Sequence, residues 1–161
     1  MKKAILIISL FFAFSLINAA VKKKIIILEF QNLTPYNSYE YLASYFFDLS
    51  GSIFSPIFNV IPKSTYEDLI KQIKANSPNS LYSEKIAMQL GRILRAEAVI
   101  MGKYFYSEDT AIYLEIMVVK ISAGNTVILK ENYQCKSTDL TRGANYICIK
   151  LCENAIREIQ R

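Results

Sequence analysis

The chain has 161 residues, with 19 basic and 14 acidic side chains, a formal net charge of +5 and no histidine. The missing histidine removes the usual general base near neutral pH, the usual zinc ligand and both the serine and the cysteine forms of the catalytic triad. Gly51, Gly91, Gly102, Gly124 and Gly143 are scattered, so neither a P-loop nor a dinucleotide fingerprint can be assembled, and no cofactor is expected. No basic cluster appears beyond Lys22, Lys23 and Lys24, which argues against a nucleic-acid groove.

Met1, Lys2 and Lys3 form a positive start, Ala4 to Ile17 an apolar stretch broken only by Ser9 and Ser15, and Asn18, Ala19 and Ala20 a small-residue end. That order reads as a cleavable secretory signal over residues 1–20, with export to the periplasm as the expectation. The rival reading, a membrane anchor, wants roughly 20 apolar residues, and this run stops short of that before the lysine triplet. No cysteine follows the stretch, so a lipid attachment has no residue to use; membrane association would be indirect or through an uncleaved signal. Residues 21–161 remain as one domain, and a chain of that size buries about two thirds of its unfolded surface.

Ile25 to Phe30 is a continuous apolar run that suits a strand covered on both faces. Gln31 to Ser38, with Asn32, Pro35 and Asn37, is turn chemistry; Asn32-Leu33-Thr34 matches a glycosylation acceptor by chance in this context. Leu42, Phe46, Leu49 and Ile53 recur at helical steps, predicting an amphipathic helix over 39–53. Pro56 closes it, and Ile57 to Ile61, ended by Pro62, reads as an outer strand. Ser64 and Glu67 form a capping-box pair for a second helix reaching about Ala75. Ser83 caps a third, with Ile86, Leu90, Ile93 and Leu94 on one side and Gly91 a small cost.

The period then changes. Ala98 to Tyr106, Ala111 to Ile121 and Val127 to Cys135 are β-rich and separated by turn segments, predicting two hairpins. In the last strand Lys130, Asn132, Gln134 and Lys136 alternate with Leu129, Tyr133 and Cys135, so one face should meet water. A closing helix over 140–160 carries Ala144, Ile147, Cys148, Leu151 and Ala155 in one stripe. The expected fold is α/β: a mixed sheet of about five strands, order β-α-β-α-α-β-β-β-α, with helices mainly on one face.

Four stretches resemble the domain shared by the TolB N-terminal region, CsgG and LpoB. Leu28-Glu29-Phe30-Gln31-Asn32 is similar to their Phe-any-Asn strand end, and Phe58 to Ser64 to their second strand and helix cap. Leu94 to Tyr104 resembles their Gly-Ala-Asp-hydrophobic-Gly strand entry, and Val118 to Gly124 their hydrophobic-Val-Asp-x-x-Thr-Gly hairpin. The β-propeller of TolB and the lipid-bearing cysteine of CsgG and LpoB have no counterpart here. The resemblance implies a non-catalytic envelope domain that binds other envelope proteins, or a subunit that self-associates into an envelope assembly.

Three cysteines, Cys135, Cys148 and Cys152, leave a disulfide, a redox pair or unbonded thiols open. A closing helix that starts near Leu140 puts Cys148 about 12 Å along its axis, level with Asn132 rather than Cys135, so three unbonded thiols is the first expectation. The thiol-redox alternative would use Cys148 and Cys152, yet reactive pairs sit two apart at a helix N-terminus and this pair is mid-helix. Glu29 and Glu115 could serve a hydrolase, but no second acid can be placed beside either, and no enzymatic activity is expected. Tyr113, Glu115, Met117 and Val119 share the strand phase opposite Ile112, Leu114, Ile116 and Val118. With tyrosine and methionine enriched in interface cores, Phe105, Tyr113, Glu115 and Met117 are the candidate partner-binding residues, for an envelope protein or a second copy. A loop or chain end folded over that face is the competing reading.

Overall fold

The computed structural model describes residues 22–34, 39–76, 83–107, 111–121, 128–136 and 140–161, with side chains throughout except at 74–76 and 128–136. The expected signal and the turn segments at 77–82 and 122–127 lie outside the described residues. The elements run β1 (Lys24–Ile27), β2 (Gln31–Asn32), α1 (Tyr41–Phe54), β3 (Asn59–Val60), α2 (Lys63–Asn76), α3 (Glu84–Leu94), β4 (Ala98–Tyr106), β5 (Ala111–Lys120), β6 (Ile128–Lys136) and α4 (Leu140–Gln160). The sheet order is β3-β1-β4-β5-β6, with β2 pairing β4 beyond the end of β1. β1 pairs parallel with β3 and β4, while β4, β5 and β6 form an antiparallel meander. This is the α/β mixed sheet that the sequence pattern predicts, with the short β2 added.

The helices divide evenly between the two faces instead of gathering on one. Ile25, Ile27, Ile100, Leu114 and Val118 meet α1 and α4 through Leu42, Phe46, Ala144, Ile147 and Leu151. Ile26, Leu28, Val99, Met101 and Val119 meet α2 and α3 through Tyr66, Ile86, Ala87 and Leu90. Covering both faces is what the continuous apolar runs in β1 and β4 require, since every side chain of Ile25–Leu28 is buried. Each such aliphatic contributes about 1.5–3 kcal/mol of burial.

A single extra residue between β1 and β2 decides where Phe30 goes. Ile27 lies opposite Ile100 and Gln31 opposite Lys103, so four steps on this strand face three on β4. The insertion reverses the side-chain alternation. Glu29 turns outward to pair with Lys63, and Phe30 enters the α1/α4 core at 2% exposure. Its ring lies over Gly102: a Cβ there would sit 2.1 Å from Phe30 Cε1. Phe30, the strand-end phenylalanine, and Gly102, the strand-entry glycine, are thus two halves of one contact.

Gly91 has a similar reason. A Cβ on it would meet the Ile121 side chain at 2.4 Å, so glycine lets the last turn of α3 close on β5. The buried stripe of α3 is Ile86, Ala87, Leu90 and Gly91, leaving Ile93 51% exposed rather than in the core. α2 begins at Lys63, so Ser64 falls inside the first turn rather than at the cap. Ser83 does cap α3, accepting from the Ile86 amide.

Candidate interaction surface

The alternation of β5 sorts its residues as the sequence predicts, but α3 cuts the second face in two. Eleven helical residues span about 16 Å, whereas ten strand residues span about 33 Å, so one helix covers half of β5. Met117 and Val119 fall under it and are buried at 6% and 0%. Met117 is therefore core and unavailable to a partner, a correction to its candidate role. Tyr113 lies beyond the helix at 40% exposure, and Glu115 is half-buried.

Tyr113 stands opposite Phe105, and Glu115 opposite Lys103, in the β4/β5 register. The Phe105 and Tyr113 rings are 5.9 Å apart, and Phe105 is 36% exposed. Leu33, whose amide donates to the Tyr104 carbonyl at 2.8 Å, extends the β2 line beside Phe105 and is 49% exposed. The uncovered corner is thus an apolar row, Leu33, Phe105 and Tyr113, beside the oppositely charged Lys103 and Glu115. Leu33 and Lys103 were missing from the sequence reading. The inserted residue before β2 hides the phase that would have placed Leu33 with Phe105.

The same end of the sheet is aromatic on its other face. The Tyr39 and Tyr106 rings approach to 4.4 Å, and the Tyr104 hydroxyl donates to the Tyr39 carbonyl at 2.8 Å. Burial pushes the Tyr104 phenol up to about 12, and burial followed by Tyr39 raises Tyr106. Asn32 Oδ1 accepts from the Thr34 amide at 2.8 Å, and Thr34 Oγ1 from the Tyr106 amide at 3.1 Å. These bonds fix the backbone that carries Leu33.

Cys148 and Cys152 are buried and unbonded, their sulfurs 4.0 Å apart, against about 2.05 Å for a disulfide. Ser50 of α1 sits between them, Oγ to sulfur 3.6 and 3.5 Å. The hydrogen bond with Cys152 lowers the Cys148 thiol, burial opposes this, and Ser50 lowers it further. That same bond and then burial raise Cys152. With both residues at 0% exposure, no substrate thiol reaches either sulfur while α4 stays packed. Cys135 occupies β6 opposite Ile112, its side chain outside the described residues. Among the described residues no cluster of histidine, cysteine or carboxylate could hold a metal ion, and no helix is long and apolar enough to cross a membrane.

No family profile matches the chain, and no curated protein matches it in sequence. Solved structures do match in shape. The LpoB C-terminal domain from Salmonella enterica superposes with a TM-score of 0.55 at 12% identity, covering 74% of this chain and 87% of that one. The Escherichia coli LpoB C-terminal domain gives 0.53 at 12% identity, with the same shares covered. The chain has an LpoB-like fold. Lipoprotein GNA1162 from Neisseria meningitidis gives 0.53 at 16% identity, covering 83% of this chain and 96% of that one.

Proposed function

We propose that the chain is a non-catalytic, exported protein-interaction domain of the cell envelope, of the kind shared by LpoB, CsgG and the TolB N-terminal region. It acts as an adaptor that docks on another envelope protein through the corner formed by Leu33, Phe105 and Tyr113. The observation that carries this reading is the exposed Phe105–Tyr113 pair on sheet that α3 leaves open. Aromatic side chains concentrate in interface cores, where they bury large area at low entropic cost. The LpoB-like fold and the four sequence stretches that resemble those of the envelope proteins support the same class.

The test is an in-cell crosslinking pull-down of the exported protein against its Phe105→Ser/Tyr113→Ser variant. Loss of the crosslinked partner with an unchanged unfolding transition is the expected result. An unaffected pull-down refutes the assignment of the surface. Light scattering separates the two modes: a monomer fits the adaptor, whereas a defined oligomer that the double variant dissolves would make the partner a second copy.

A further inference from the structure

The end of the sheet opposite the aromatic corner is built from cations. Lys22, Lys23 and Lys24 enter β1 there, Lys120 leaves β5, Arg95 turns the chain from α3 into β4, and Arg161 follows α4. The backbone ties these segments together: the Glu97 amide donates to the Lys24 carbonyl at 2.7 Å, and the Ile121 amide to the Glu97 carbonyl at 2.7 Å. The carboxylates among them are Glu97 and Glu158, the second paired with Arg161 at 2.5 Å.

Part of this charge has an internal use. Lys22 donates to the Ser55 carbonyl just past α1 at 3.1 Å, Lys23 to the Ile159 carbonyl at 3.1 Å, and Lys120 to the Glu158 carbonyl at 3.2 Å. Three helices, α1, α3 and α4, end here, and each terminus carries roughly half a negative charge. Those partial charges together offset fewer than two of the six cations, and the two carboxylates offset two more. The end stays positive after both are counted.

We infer that this cationic end lies against an anionic lipid surface. Its position in the chain supports that occupant over a protein or nucleic acid. The apolar Ala4 to Ile17 stretch ends a few residues before Lys22. Residues 18–21 span at most about 14 Å. Before the signal is cleaved, while the leader is in the bilayer, the lysine end is held near the headgroups, within one or two Debye lengths of about 8 Å. The aromatic corner, at the other end of β4, then points away from the membrane, roughly 25 Å distant along the strand.

The experiment is flotation of the full chain with vesicles of phosphatidylglycerol and phosphatidylcholine at about 3:7, against phosphatidylcholine alone, at about 50 and 500 mM salt. Lys2 and Lys3 of the leader also respond to headgroup charge and salt, so the cationic end is read from the part of the difference between the two vesicles that the Lys24 and Arg95 variants remove. The expected result is added binding to the anionic vesicles, lost at the higher salt. Lys24→Gln and Arg95→Asn remove cations that hold none of the helix-end carbonyls above, and asparagine tolerates the left-handed backbone at φ 52. Each should lower the anionic increment about five-fold, and the pair roughly thirty-fold, with the unfolding transition unchanged. Equal flotation with both vesicles, a salt-independent increment, or folded variants that bind like the unmodified chain would overturn the inference. None of these outcomes bears on the aromatic corner, whose variants should float normally.

Discussion

Replacing Gly102 by alanine tests whether the contact with Phe30 organises the junction of β1, β2 and β4. Alanine in a strand ordinarily gains about 0.4–1 kcal/mol over glycine by restricting the unfolded chain. Here the new methyl would lie 2.1, 2.2 and 2.9 Å from three ring carbons, against an optimum of about 3.5–4.0 Å. The ring has little room to retreat, being 2% exposed with the Phe46 ring 5.6 Å behind it. Overpacking of this kind costs about 1–3 kcal/mol, which exceeds the entropic gain and sets the sign as destabilising. At the middle of both ranges the net loss is about 1.3 kcal/mol, so with an m-value of about 2 kcal/mol/M the urea midpoint followed by circular dichroism should fall by about 0.7 M. The double variant Gly102→Ala/Phe30→Leu should lose less than the sum of its singles, because a smaller side chain leaves space for the methyl. A Gly102→Ala protein as stable as the parent, or additive losses in the cycle, would refute the account.

Alkaline stability and thiol reactivity give two more checks. Burial raises Tyr66, whose hydroxyl donates to the Ile27 carbonyl at 2.5 Å, and Tyr104, pushed up to about 12. The folded state holds these protons more tightly than the unfolded one, so their contribution is full below the ordinary value of 10.0 and is lost as pH rises toward 12. Tyr104→Phe should therefore flatten the fall in stability above pH 10, and an unchanged slope in urea titrations at pH 9 to 11.5 would count against it. Cys148 and Cys152 should resist iodoacetamide in the native protein and react after unfolding, read by intact mass. Rapid native alkylation at either, or a gain of two hydrogens on reduction, would show that the buried, unbonded pair is misread.

The elements were legible wherever one period ran without interruption. The stripe Ala144, Ile147, Cys148, Leu151 and Ala155 of α4 is buried as read, and the strand bounds of β4 and β5 differ by at most one residue. The stripe of α1 was only half right. Leu42 and Phe46 are buried, but the next core positions are Ser50 and Phe54 rather than Leu49 and Ile53. A serine is not read as core from one sequence. It is buried here because small side chains at Cys148 and Cys152 let α1 and α4 approach closely enough for Oγ to meet both sulfurs. The pairing lies between helices about a hundred residues apart, and no local pattern contains it.

The candidate interaction surface was hidden for a related reason, since its boundary belongs to α3 and not to the strand that carries it. β5 presents Tyr113, Glu115, Met117 and Val119 in one phase, and period alone makes them equivalent. The helix makes them different by its length, and Gly91 fixes where that length falls. Because a Cβ there would sit 2.4 Å from the Ile121 side chain, glycine lets the last turn of α3 settle at the lysine end of β5 without displacing Ile121. The eleven residues of α3 then run out before Tyr113. The inserted residue near Glu29 acts at the same end from the other side, turning Leu33 onto the face left open. The apolar row thus follows from one close helix approach and one shift of register, neither of which touches it.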